Sequence, residues 1–339
     1  MKKSIILGGA AALALATTSA SAGTGHQWAD LRWDIGGATP GADALQMKIS
    51  HVFAPPSGTG WSGTWDKYYS QAASPTQRPG ALEKWQSDFS TDLPSPIVLT
   101  EITTQSPRYV DGYDPETGDP VTNAEVTSSL CPGIPGEVLV CSDHYSTDVG
   151  WVGIANIDYD PSTFHLLWAT ARINDSYFRD ARYSSAYDDE GQREFVMCHE
   201  IGHTWGLGHL DEAFYNPNKG SCMDYTANAY GDGKRSKDNR DPGKVDYEVL
   251  LSTTMYGDLT STKGGGKKGG GGRPGNLDPF QFREVGAVAP ASAGKGRYGE
   301  IVGFDSEGRP NEYVKVINSR RAIRTFVTWA RGYRPEGSR

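Results

Sequence analysis

The chain has 339 residues, with 33 Lys and Arg against 41 Asp and Glu, for a formal charge of −8. That mildly acidic balance gives no general attraction for nucleic acid or anionic membrane, so neither is expected as a partner. The length suits one large domain, or a main domain with a small appendage.

Residues 1–22 carry Lys2 and Lys3, an apolar run, and then Ala20-Ser21-Ala22, the small-residue pattern a signal peptidase cuts after. The run is far shorter than the ~20 residues needed to cross a bilayer, so it predicts export rather than anchoring. Cleavage would start the mature chain at Gly23 and take its charge to −10. No later segment is apolar and long enough to anchor it, and a soluble, secreted, monomeric product is expected.

Residues 23–77 are rich in Gly, Pro and Ser and read as a lead-in wrapped on the main domain, with a strand candidate at Leu45–Phe53 and a Trp pair at Trp61 and Trp65. Over 78–89, Leu82, Trp85 and Phe89 recur at helical spacing, and Pro94 and Pro96 end that helix. The β-branched run 97–102 predicts a strand, whereas 106–129, broken by Gly and Asp-Pro, reads as a turn-rich excursion. Further strands are expected at 137–140, 151–157 and 165–173, then the strongest helix at 192–204 with Phe195, Met197 and Ile201 as its apolar members. The main domain is bounded at 78–262. The stretch 263–274, which contains KGGGKKGGGG, cannot bury a core and reads as a flexible linker. Beyond it, 275–339 has strand-like pieces at 301–304, 313–317 and 325–329 and reads as a small β-rich appendage.

Four cysteines allow three complete pairings in an oxidising compartment; spacing favours Cys131 with Cys141 and Cys198 with Cys222. The chemistry concentrates in His199-Glu200-Ile201-Gly202-His203-Thr204-Trp205-Gly206-Leu207-Gly208-His209. Histidines four apart on a helix share a face, so His199 and His203 can offer imidazoles to one ion. Glu200 is placed to reach a water on that ion but not to be a third ligand. His209 would lie ~600° round and ~9 Å along a continuing helix, so the chain must turn before it. Gly206 tolerates the positive φ such a turn needs. Three histidines beside a waiting carboxylate fit catalytic zinc better than a closed structural site.

This segment resembles the metzincin clan of zinc endopeptidases, whose consensus H-E-x-x-H-x-x-G-x-x-H is matched at His199, Glu200, His203, Gly206 and His209. The clan's methionine turn is matched by Ser221-Cys222-Met223-Asp224-Tyr225. More narrowly, CHEIGHTWGLGHLDE with GSCMDYT is similar to bacterial secreted peptidases allied to the matrixins. The resemblance covers about residues 78–260 and implies an α+β, zincin-like fold. Its parts are a twisted five-stranded mixed sheet with the metal helix and, across a cleft, a C-terminal subdomain whose helix 241–259 would supply. It further implies an apolar floor at Met223, and metal binding or transition-state support by Tyr225. A bond between Cys198 and Cys222 would then clamp the metal helix to that floor. An extended substrate would lie on an edge strand at 151–157, making Trp151, Gly153 and Ala155 substrate-binding, with Asp224 bounding the pocket after the scissile bond.

Two features depart from the matrixins. No cysteine lies between Gly23 and Leu130 to serve as a latency switch; Cys131-Pro132-Gly133 resembles one superficially but sits inside the main domain with Cys141 nearby. Asp111, Asp114, Glu116, Asp158 and Asp160 are candidates for structural calcium, without the spacing of a dedicated loop and with solvated turns as the other reading. The expected activity is zinc-dependent hydrolysis of internal peptide bonds in protein or peptide substrates. The alternatives are a zinc amidohydrolase on cell-wall or other amides and a secreted binding protein without turnover.

Overall fold

Apolar and β-branched runs set the central strands of the architecture, which are buried almost throughout. The computed structural model describes residues 31–34, 45–56, 61–87, 97–102, 107–251 and 295–339. The expected export signal at 1–22, Phe89, the two prolines expected to end its helix, the stretch 263–274 and the far end of the helix expected to reach 259 lie outside those residues. In chain order the elements are β1 (Arg32–Trp33), β2 (Leu45–Phe53), α1 (Asp66–Tyr69), α2 (Ala81–Ser87), β3 (Ile97–Glu101), β4 (Tyr109–Tyr113), β5 (Pro120–Glu125), β6 (Glu137–Asp143), β7 (Trp151–Tyr159), β8 (His165–Asn174), α3 (Ser176–Arg179), α4 (Ser184–Tyr187), α5 (Glu190–Thr204), α6 (Lys244–Leu250), β9 (Lys295–Gly296), β10 (Gly299–Phe304), β11 (Pro310–Asn318) and β12 (Arg321–Trp329).

The chain is α+β, with one mixed sheet in the order β3-β2-β6-β8-β7-β12-β11-β10-β9 and β1 paired parallel to β8. The first four strands of that order run parallel, and β7 runs antiparallel to β8. Along β2, Met47 and Ile49 enter the large core, while Ser50, one position on, donates from its hydroxyl to Glu137. This is the period-two pattern of a strand with different surroundings on its two faces. Arg108 completes the group with two 2.7 Å bonds to the Glu137 carboxylate.

Helix α5 packs on β7 and β8 and against α1 and α2. Its N-terminus is capped by Asp189, which accepts from the Gln192 amide at 2.7 Å and satisfies one orphan helix donor. Two buried contacts from α2 fix its lateral position. Trp85 donates its indole N–H to the Cys198 carbonyl at 3.1 Å, and the buried Lys84 ammonium lies 3.1 Å from both Glu194 and Asp241. The buried faces of Tyr247 and Leu250 on α6 complete that side of the core.

Three expectations are corrected. The stretch 106–129 holds a hairpin, β4 with β5, which its polar composition concealed. Strand β2 is an inner strand between β3 and β6, so the lead-in does not end the domain at 77. The C-terminal strands are no separate appendage: β12 pairs antiparallel with β7 from Ala322↔Tyr159 to Trp329↔Trp151, and β11, β10 and β9 extend the same sheet. For that reason β7, expected at an edge, is interior and buried along its whole length.

Candidate metal centre

The helix that carries His199, Glu200 and His203 stops where the sequence requires it to turn. Gly206 adopts φ +93°, and its amide donates to the His203 carbonyl at 2.9 Å, closing the helix. The returning chain brings His209 back, so that ligand atoms of His199, His203 and His209 lie within 4.8 Å of one another. All three are at most 3% exposed. Among the described residues this is the one His, Cys, Asp or Glu group close enough to share an ion.

The outer nitrogens fix which atoms face inward. His199 Nδ1 lies 2.6 Å from the Cys222 carbonyl, and His203 Nδ1 lies 2.7 Å from the Leu207 carbonyl. A carbonyl can only accept, so both Nδ1 atoms carry the proton and both Nε2 lone pairs turn toward the shared centre. His209 Nδ1 lies 3.0 Å from Glu212 Oε1, a third partner of the same kind. The two helical Nε2 atoms stand 3.1 Å apart, close to the ~3.3 Å expected for two imidazoles at ~2.0–2.1 Å on a tetrahedral ion. Burial lowers the His199 pKa to about 3, so this imidazole is neutral, the form a metal ligand requires.

Glu200 is wholly buried beside the triad. Its Oε1 accepts from the Thr328 hydroxyl at 2.7 Å, while Oε2 is buried without a hydrogen-bond partner among the described residues. Burial pushes this carboxyl up to about 8, and the Thr328 bond offsets part of that rise. An orphaned carboxylate oxygen next to three inward-facing imidazole nitrogens fits a cation and a water between them.

Met223 is fully buried, and its sulfur occupies the space that a Cβ on Gly202 would enter at 2.3 Å. Cys198 is bonded to Cys222, tying α5 to the segment that carries Met223, and Cys131 is bonded to Cys141, so Cys131 is no free switch thiol. The Tyr225 ring stands 4.6 Å from His209 and 5.5 Å from His199, centroid to centroid. Its hydroxyl, with a pKa raised by burial, donates to the Val327 carbonyl at 3.2 Å.

Other expected roles change. Asp224 does not border an open pocket: it is buried, and its Oδ2 accepts from the Lys219 amide and from Asn239 Nδ2, both at 2.8 Å, holding the methionine turn. Trp151 lies in a second core cluster with Ile154 and Trp329, and Ala155 is paired with Phe326. Gly153 does face the site. The five calcium candidates do not converge, each having its own partner: Asp158 pairs with Arg321, Glu116 with Arg172, and Asp111, Asp114 and Asp160 cap nearby turns.

Sequence reasoning missed four participants. Glu212 was visible three residues beyond His209. Asn311 donates to Glu212 Oε1 at 2.9 Å, while Phe326 and Thr328 reach the site from β12, and no local pattern announces any of these three. No protein-family model matches the chain, and a search of curated proteins finds no significant match.

Proposed function

We propose that the chain is a secreted zinc-dependent endopeptidase of the metzincin type. The observation that carries this reading is the convergence of three buried imidazoles with the Glu200 carboxylate, delivered by one helix and the glycine turn that follows it. The five strands β3-β2-β6-β8-β7, the methionine floor and the Cys198–Cys222 bond support it. The N-terminal export pattern and two disulfides support secretion.

Zinc bound by His199, His203 and His209 supplies Lewis-acid polarisation of a substrate carbonyl and a lowered pKa for a neighbouring water. The carbonyl outer partners of His199 and His203, and the Glu212 carboxylate behind His209, hold the rings in the ligating tautomer and orientation. Glu200 takes a proton from the attacking water and returns it to the departing amine; its raised proton affinity suits the first step. Tyr225, whose hydroxyl already donates to a peptide carbonyl, donates to the substrate carbonyl oxygen as charge develops on it. A peptide substrate fits because the site lies beside β7, whose edge away from β8 already pairs with an extended segment of this chain, β12, and would pair with a substrate strand in its place.

The test is zinc content together with digestion of a proteome-derived peptide library by the mature chain and by Glu200→Ala. About one zinc per chain, chelator-sensitive cleavage within peptides and a loss of at least ~100-fold in the variant are expected. Absence of bound zinc, or equal cleavage by the variant, overturns the reading.

A further inference from the structure

Strand β12 lies where that substrate would lie. It pairs antiparallel with β7, and Phe326 stacks on the His203 imidazole with centroids 4.2 Å apart and planes 3° from parallel. The next two residues bracket a peptide bond: the Val327 carbonyl accepts from Tyr225, and the Thr328 hydroxyl donates to Glu200. The bond between Val327 and Thr328 therefore has on its oxygen side the group assigned to the substrate carbonyl, and on its nitrogen side the group assigned to the leaving amine. With Phe326, Val327 and Thr328 each at most 4% exposed, no other chain can enter.

We propose that β12 is a tethered pseudosubstrate, and that the C-terminal segment keeps the site latent until the strand is displaced. The inference rests on the endopeptidase reading of the site. The segment is continuous, because β9 to β12 form a meander whose Tyr298, Ile301 and Tyr313 pack with Val327 and Trp329, in a cluster that also takes in Trp151 and Ile154 of β7. The covalent connection makes the contact intramolecular, so its occupancy does not depend on protein concentration. It also accounts for a chain in which Cys131, in the one segment that superficially resembles a switch, is committed to a disulfide.

The test uses full-length, zinc-loaded chains: the native protein, Thr328→Val, which removes only the bond to Glu200, and Phe326→Ala/Thr328→Ala, which also removes the ring. Weakening the strand should raise kcat/KM on an unrelated peptide and tighten binding of leucine hydroxamate, in the double variant by at least ~10-fold, as loss of a packed ring and a charged hydrogen bond implies. A synthetic peptide spanning 321–331 should compete with substrate in that variant. If the double variant does not fold, Thr328→Val and hydrogen exchange of the β12 amides in the native chain during turnover decide the question, since a displaced strand must lose protection. Native activity and hydroxamate affinity equal to the variants', with β12 amides protected throughout turnover, overturn the proposal and make β12 a permanent wall. Tighter hydroxamate binding without cleavage of any peptide by any form leaves the occlusion standing and sinks the endopeptidase reading instead.

Discussion

Gly153 has no side chain where Glu200 has its carboxylate: a Cβ on Gly153 would lie 2.2 Å from Glu200 Oε1. The strand and the helix approach so closely that the carboxylate fills the place of a side chain. Gly153→Ala should push Glu200 out of line while leaving the three histidines in place. Zinc content should therefore hold while kcat falls by ~100-fold, the scale of a lost general base. Unchanged turnover would show that the carboxylate has room to shift without consequence.

Glu212 supports His209 from behind, and Asn311 in turn supports Glu212. Glu212→Ala is expected to weaken zinc binding by ~10–100-fold, with Glu212→Gln recovering much of it, because the amide oxygen can still accept from Nδ1. Competition with a fluorescent zinc chelator measures both. Equal affinities for all three proteins would assign the contact to packing alone.

The Cys198–Cys222 bond closes a loop with a sequence separation of 24. Replacing both cysteines by Ala should cost about 3 kcal/mol in urea unfolding. Because the bond ties the helix bearing His199 to the turn whose Cys222 carbonyl holds His199 Nδ1, zinc affinity should fall with it. Loss of stability with full zinc affinity would separate the clamp from the metal centre.

Burial pushes the Asp224 carboxyl from its ordinary 3.8 up to about 6, against the pull of the Asn239 and Lys219 hydrogen bonds. Between those values the folded chain binds more protons at this site than the unfolded chain does. Its contribution to stability is therefore complete below the unfolded pKa and is lost as pH rises through the folded one, at ~1.4 kcal/mol per pH unit. Asp224→Asn cannot ionise. Whatever its fixed offset, its stability relative to the native chain should rise by roughly 2–3 kcal/mol from about pH 4 to pH 7 in paired urea titrations. A difference that is flat across that range would refute the raised pKa.

How much of this could be read in advance depends on how local each feature is. The helix that bears His199 and His203, the turn at Gly206 and the segment that holds Met223 are written in short segments whose spacing is itself the geometry. Strands β2, β6, β7 and β8 were legible from their apolar and β-branched runs. What covers β7 was not. A strand buried on both edges, such as Trp151–Tyr159, states that it has neighbours without saying which. Its partner β12 lies more than 150 residues away, as the contact of Thr325 with Asn156 shows. Asp224 misled for a related reason: beside a metal motif a carboxylate suggests a pocket wall, whereas here the nearby Lys219 amide and Asn239 claim it.

The order of the parts along the chain also sets an order in time. The three histidines proposed to hold the metal, and Tyr225 beside them, precede in the chain the strand that covers them, Arg321–Trp329. A chain that folds in that order would have an interval in which β12 does not yet cover the three histidines. With those histidines at most 3% exposed in the complete fold, that interval is when an ion would enter most freely. Apoprotein refolded first and supplied with metal later should load slowly, at the rate at which β12 lifts.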